Sequence, residues 1–264
     1  MKKALYFLAF LILFTTLSAH EFWLEPNSYF AEVGQPVRIN LRVGENFTGE
    51  KWDAGKSRII YFASFCRKKE TTWFNMLQKR GLDSLDCRFS EAGTHLVVLK
   101  TNSKFIELEA EKFNDYLKED GLDLALNARI LRGDTLKKGR EMYRREAASL
   151  VQIGAKTSAI DVSKTGFDLK ILPEHNPLDK PSNTPLNVQI TFNNKPLEGA
   201  LVRHWHKAND KTNIVFKRSD KKGKVQFQPL SGDNMISVVH MVEYPNKAEA
   251  DWQSIWGNLT FGVK

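Results

Sequence analysis

Residues Gln35 to Val43 (QPVRINLRV) alternate apolar and polar side chains with a period of two. A strand sends successive side chains to opposite faces, so this pattern predicts a half-buried β-strand. The same texture runs from Phe30 to Thr101. Arg58 to Phe65 is β-branched and aromatic, and His95 to Lys100 follows a glycine turn as a third strong strand. Short strands between Gly and Asn turns predict a β-sandwich.

The texture changes between Glu107 and Leu150. Glu109 to Lys118 is rich in helix formers, with Phe113, Tyr116 and Leu117 at one-face spacing, and Gly121 ends it. A second helix is predicted from about Asp134 to Leu150, with Asp134 as N-cap and Met142, Tyr143, Ala147 and Leu150 inward. Strand texture returns at Phe167 to Leu172. Pro173, Pro177, Pro181 and Pro185 mark an extended connection. Beyond it, Leu186 to Phe192, Leu201 to Lys207, Asn213 to Arg218, Gly223 to Gln228 and Met235 to Val242 follow at regular turn spacing, as in a second sandwich.

The start of the chain carries the parts of a secretory signal. Lys2 and Lys3 precede an unbroken apolar run from Ala4 to Phe14, and Leu17-Ser-Ala offers a small-residue exit. The run is well short of the roughly 20 residues a helix needs to span a bilayer. Cleavage after Ala19 makes His20 the new N-terminus. A terminal His offers its amine and its ring nitrogen to one metal ion. Cleavage after Ser18 leaves Ala19-His20, which chelates through amine, amide and imidazole in a square geometry suited to nickel or copper.

The precursor carries a net charge of +8, which falls to +6 once Lys2 and Lys3 are removed, with 27% charged residues overall. The basic residues are scattered beside acidic ones, and no basic face with interleaved aromatics suggests nucleic acid. In an exported chain, two cysteines, Cys66 and Cys87, are read first as a disulfide. Closing a loop of about 20 residues this way is worth roughly 3 kcal/mol. Arg203-His-Trp-His-Lys puts His204 and His206 on one face of a strand, where two imidazoles can share an ion or serve separately in the core. His240 sits in an apolar strand and needs partners for its nitrogens, either a metal or a carboxylate. No spacing groups a Ser-His-Asp triad, and no phosphate loop or nucleophile elbow is present, so no catalytic role is expected.

His20-Glu-Phe-Trp-Leu-Glu-Pro resembles the mature opening of a family of exported bacterial proteins of unknown function, once labelled a nickel-uptake substrate-specific protein. Similar matches recur at Val43-Gly-Glu-Asn-Phe, Phe113-Asn-Asp-Tyr-Leu-Lys-Glu-Asp-Gly-Leu, Arg140-Glu-Met-Tyr-Arg-Arg-Glu-Ala, Leu150-Val-Gln-Ile-Gly, Leu172-Pro-Glu-His-Asn-Pro-Leu and Gly199-Ala-Leu-Val. The close, from Val239-His-Met-Val through Ala250 to Phe261, is the most specific segment.

The resemblance implies a periplasmic β-sandwich protein associated with nickel or cobalt acquisition; copper stays a candidate from the terminal chelate geometry, and an outer- or inner-membrane metal transporter is the expected partner. The expected fold class is mainly β, two immunoglobulin-like β-sandwich units with a helical insert between them. The expected divisions are a signal at 1–19, a first sandwich at 20–105, the insert at 106–150 and a second sandwich at 151–264. The metal reading has His20 converging with at least one of His204, His206 and His240 within about 5 Å. The alternative is a non-catalytic envelope module that docks on a protein or glycan through exposed Trp23, Trp252 and Trp256.

Overall fold

The computed structural model describes residues 21–52, 55, 57–67, 69–76 and 83–264. Within these residues eighteen strands form three sheets, with α-helices packed against the largest. The first sheet has β3 (Pro36–Glu45) between β1 (Glu21–Pro26) on one side and β7 (Ser84–Arg88) and β4 (Thr48–Lys51) on the other. In β3 the sequence alternation became burial alternation, with Val37, Ile39 and Leu41 inward.

The central sheet has ten strands. Its path runs β15 (Lys211–Arg218), β14 (Leu201–Ala208), β17 (Gly232–Glu243), β18 (Trp252–Val263), β10 (Gly139–Ile153), β8 (Gly93–Thr101), β5 (Ile59–Cys66) and β6 (Lys69–Thr72). The short strands β2 (Phe30–Ala31) and β9 (Lys104–Leu108) also pair with β10. The third sheet has β12 (Leu186–Phe192) between β11 (Leu169–Pro173) on one side and β13 (Lys195–Pro196) and β16 (Lys224–Phe227) on the other.

Side-chain parity shows how the sheets layer. Val97 and Leu99 on β8, with Ala147 and Val151 on β10, share a core with Phe22, Leu24, Ile39 and Leu41 of the first sheet. Their neighbours Leu96, Val98, Ala148 and Leu150 share another with Leu169, Ile171, Val188 and Ile190 of the third. The central sheet is therefore covered on both faces, and its middle strands bury consecutive residues, as from Glu146 to Ile153 of β10.

The helices on the central sheet are α1 (Ala110–Glu119) and α2 (Asp123–Leu131), joined through Gly121 at φ +64°. A Cβ at Gly121 would come within 2.6 Å of the Leu201 side chain, so glycine is needed for both the turn and the close approach. Phe113, Tyr116, Leu117, Leu122 and Ala125 pack on Val239, Met241, Trp252 and Trp256 of the central sheet.

Three expectations change. The helix predicted from about Asp134 to Leu150 is instead β10, one of the middle strands of the central sheet. Its Glu, Met, Arg and Ala residues favour helix intrinsically. Pairing with β18, β9 and β8 along its length overrides that weak preference. The region 106–150 is thus only partly helical.

The chain also does not divide into two separate sandwiches, because the central sheet takes strands from both halves. The join is the parallel pairing of β10 with β18, in register from Glu141 with Trp252 to Ser149 with Thr260.

The disulfide expected between Cys66 and Cys87 is not formed, and both are free, buried thiols. Cys66 ends β5 in the central sheet, its Sγ only 2.8 Å from where a Cβ on Gly93 would lie. Cys87 lies on β7 in a different layer, opposite Val37 and packed into the apolar core. Burial pushes the Cys87 thiol well above its ordinary range.

Candidate functional site

β1 starts the described chain on the face of the central sheet opposite the third sheet. There Glu21 is buried and accepts a hydrogen bond from Ser237 Oγ at 2.9 Å, while Arg203 Nη1 stands 3.8 Å away. Arg203 Nη2 also donates to the carboxylate of Asp120, the residue that caps the end of α1, and to the Glu119 carbonyl at 2.9 Å. Two buried carboxylates from distant parts of the sequence therefore share one guanidinium.

Glu21, Asp120, Glu119 and Arg203 line a cavity of about 130 Å³ together with Gly44, Glu45, Asn46 and Trp205. The tight turn between β3 and β4 forms one wall. A Cβ at Gly44 would lie 2.2 Å from the Thr48 carbonyl oxygen, so the strands close only over glycine. Asn46 and Phe47 both adopt left-handed backbone, at φ +53° and +54°. For a Phe this is unusual. Its ring is held by burial against Trp23, at 5.5 Å in an edge-on arrangement. Gly44, Glu45 and Asn46 of the Val43-Gly-Glu-Asn-Phe motif thus form that wall.

The electrostatics follow from burial. Desolvation lifts the Glu21 carboxyl to about 7, opposed by the charge of Arg203 and reinforced by Asp120. Burial also raises Asp120, again against the pull of Arg203. Two buried carboxylates, Glu21 and Asp120, face one arginine across this small space. The arrangement favours a proton or a cation.

The histidines singled out by sequence do not share a site. His204 and His206 do lie on one face of β14, as their spacing predicts, but each has its own partner. His204 Nε2 pairs with Asn234 Oδ1 at 3.0 Å, with its ring 5.2 Å from Phe227. His206 Nε2 meets the Ser231 carbonyl at 2.8 Å. His240 packs on Phe192 at 4.5 Å, and burial pushes it down to about 4. It stands four residues beyond Ile236, the register partner of His204, so it is displaced along the sheet.

The rings of His204 and His240 pack on Phe227 and Phe192 of the third sheet, opposite the face that carries Glu21. His20 lies outside the described residues, as does the signal. Among the described residues no group of three His, Cys, Asp or Glu side chains could hold a metal ion, and no helix is long and apolar enough to cross a membrane. Trp23, Trp252 and Trp256 are buried, so the exposed aromatic patch predicted for a docking module is not made from them.

Sequence reasoning missed Glu21, Asp120 and Arg203. A signal was present for two of them. Glu21 adjoins the apolar run Phe22-Trp-Leu and Arg203 follows Leu201-Val, so each is a charge beside buried apolar residues, a placement that requires a buried partner.

The architecture and the site define a class, a multi-sheet, mainly β protein with an acidic cavity where the first strand begins. Within that class the chain belongs to the family described as Domain of unknown function (DUF4198), which matches residues 17–242. No curated protein matches the sequence.

Among solved structures it is similar to the three N-terminal domains of the Highly Immunogenic Outer Capsid protein of bacteriophage RB49, at 10% identity and TM-score 0.19 over 91% of this chain and 59% of that one. Chicken CNTN1 FN1-FN3 domains match at 11% identity and TM-score 0.20, over 91% and 66%. Dimeric latent PorU of Porphyromonas gingivalis matches at 8% and 0.20, over 92% and 20%. The chain spans less than two thirds of the length of each.

Proposed function

We propose that this is a periplasmic metal-binding protein that takes a transition-metal ion, nickel or cobalt before copper, at the start of its processed chain. The supporting observation is the acidic cavity that begins at Glu21. Cleavage after Ala19 leaves His20 one peptide bond away, which places its Cα about 3.8 Å from that of Glu21. In this reading the terminal amine and imidazole of His20 supply nitrogen donors to the ion, and the carboxylates of Glu21 and Asp120 supply oxygen donors. Nitrogen and oxygen donors of this kind suit divalent first-row metals. The strand histidines take no part. Delivery to a membrane transporter is the use this reading assigns to the ion.

Because burial raises the Glu21 carboxyl to about 7, metal entry near neutral pH releases a proton from it. The test uses protein purified from periplasm, with its N-terminus sequenced, titrated calorimetrically with nickel, cobalt, copper and zinc in two buffers of different ionisation enthalpy. The expected result is one ion per chain with proton release. Binding is lost in His20→Ala and weakened at least about tenfold, some 1.4 kcal/mol, in Asp120→Asn. Correctly processed protein that binds none of the four ions, or His20→Ala protein that binds as well as the parent, overturns the reading.

A further inference from the structure

The flank of the central sheet that carries the acidic cavity also carries two cations that the metal reading does not use. The Arg145 guanidinium, on β10, lies 5.2 Å from the centre of the Phe22 ring, 5.1 Å from Trp52 and 5.7 Å from Tyr143. Arg58, just before β5, lies 5.3 Å from the same Tyr143 ring. Its Nη1 donates to the Asn102 carbonyl at 3.0 Å and to Asn102 Oδ1 at 2.8 Å. Its Nη2 is buried and has no partner among the described residues.

For Arg145, only the backbone N–H is engaged, with Thr101 Oγ1 at 2.9 Å. Among the described residues its side chain has neither a hydrogen-bond acceptor nor an ion-pair partner.

The other arginines placed inside the fold are not left this way. Arg42 has Glu25 at 2.7 Å, and Arg203 and Arg144 have Asp120 and Asp168. Arg129 donates to Asn114 Oδ1 at 3.0 Å and to the carbonyls of Asp134 and Lys137 at 2.8 and 2.6 Å. A guanidinium has five N–H donors spread around the edge of its plane. Aromatic rings can cover its faces, but they accept none of those edge donors.

Burial pulls Arg145 down to about 10 and lowers Arg58 as well, yet both stay charged at neutral pH, and the Arg58 charge adds to the depression of Arg145. Glu21 acts on Arg145 through space but makes no contact with it. Two like charges grouped on one tyrosine, with free edge donors and no carboxylate in contact among the described residues, are an incomplete arrangement. A planar or tetrahedral oxyanion completes it, because paired N–H edges match its oxygens.

We propose that Arg145, with Arg58 beside it on Tyr143, forms an oxyanion-binding site, taking a carboxylate or phosphate group of a ligand at the unpartnered guanidinium edges, with Phe22, Trp52 and Tyr143 fixing the guanidinium planes. The site is separate from the metal reading and stands or falls without it.

The test is NMR of the processed full chain, following the arginine Nε–H resonances during titration with inorganic phosphate and, separately, with acetate, at constant ionic strength in chloride. The resonances of Arg58 and Arg145 should shift saturably with at least one anion. A response to phosphate alone identifies a phosphate site, and a response to acetate alone identifies a carboxylate site. Arg145→Lys, which keeps the charge and removes the fork, should weaken binding about tenfold or more, and so should the more peripheral Arg58→Lys. The surface control Lys217→Gln should bind as the parent does. Absence of a saturable shift with either anion, or affinity unchanged in both arginine variants, overturns the proposal.

Discussion

Glu141 gives the sharpest quantitative test of how this fold treats buried charge. It lies on β10, 3% exposed, and accepts hydrogen bonds from Ser254 Oγ and, at 3.4 Å, from Tyr116 OH. Among the described residues no cation touches it. Burial raises its carboxyl from 4.5 to about 7, the two hydrogen bonds offsetting only part of the effect. Between those two values the folded chain holds a proton that the unfolded chain has released, so stability falls as pH rises through that window.

A tenfold difference in proton affinity between the folded and unfolded chain is worth about 1.4 kcal/mol, so above about pH 7 the ionised group costs the fold about 3 kcal/mol. Glu141→Gln keeps the shape and removes the charge. At about pH 8 the variant should therefore be more stable than the parent by about 3 kcal/mol, a rise in melting temperature of roughly 6–12 °C for a domain of this size. At about pH 4.5 the two should be nearly equal. Glu21 titrates over a similar range but does so in both proteins, so it cancels from the comparison. Urea unfolding of parent and variant at several pH values measures the difference. A gap that is the same at both pH extremes, or a variant that is less stable at pH 8, would refute the reasoning.

The opposite result is expected at Glu146, which is fully buried with Oε2 accepting the Asp168 and Leu169 N–H groups at 2.9 Å each and Oε1 facing Lys100 at 3.2 Å and Arg144 at 3.3 Å. Glu146→Gln has one acceptor oxygen for these two sets of donors and should cost about 3–5 kcal/mol in urea unfolding at unchanged m-value. A loss below about 1 kcal/mol would contradict the assigned contacts. Gly139→Ala would bring a Cβ to 2.0 Å from Phe113 Cγ, so it should cost about 1–3 kcal/mol. Hydrogen exchange should show faster opening of 110–131 than of the central sheet, and a uniform change would point elsewhere. A thiol reagent under non-reducing conditions should find no reactive cysteine in the folded chain and two in denaturant, whereas none in denaturant would mean that Cys66 and Cys87 are bridged.

Legibility in the sequence followed whether a residue's neighbours are local. β3 was readable because only one of its faces is buried, and the alternation survives in Val37, Ile39 and Leu41. α1 was readable from the spacing of Phe113, Tyr116 and Leu117 and from the glycine that ends it. β1 has both faces buried along Phe22, Trp23 and Leu24 and shows no period at all. α2 was hidden because its exposed Leu124 and Leu131 blur the apolar face. β10 was misread because its partners lie far away in sequence, and they fix its backbone against its own helical composition. The same distance hid the acidic cavity, since Glu21, Asp120 and Arg203 meet only after β1, α1 and β14 have been placed. The histidines illustrate the converse. Their spacing on β14 is a local fact and held, but whether a strand face looks onto a metal or onto Phe227 is decided by the layer packed over it.

The position of β18 has a consequence for how this chain comes into being. Trp252–Val263 stands between β17 and β10, so the two flanks of the central sheet have no common edge until that segment has been made. Until then β10 lacks its parallel partner and β17 lacks one of its neighbours, and no amount of local folding can substitute for them. Such a sheet closes late, through contacts of large sequence separation that form slowly. For a chain exported as proposed, that delay is useful, because threading through a membrane requires it to stay extended during synthesis. The same delay leaves long apolar strands bare in the interim, which makes the growing chain a natural client for a holding chaperone.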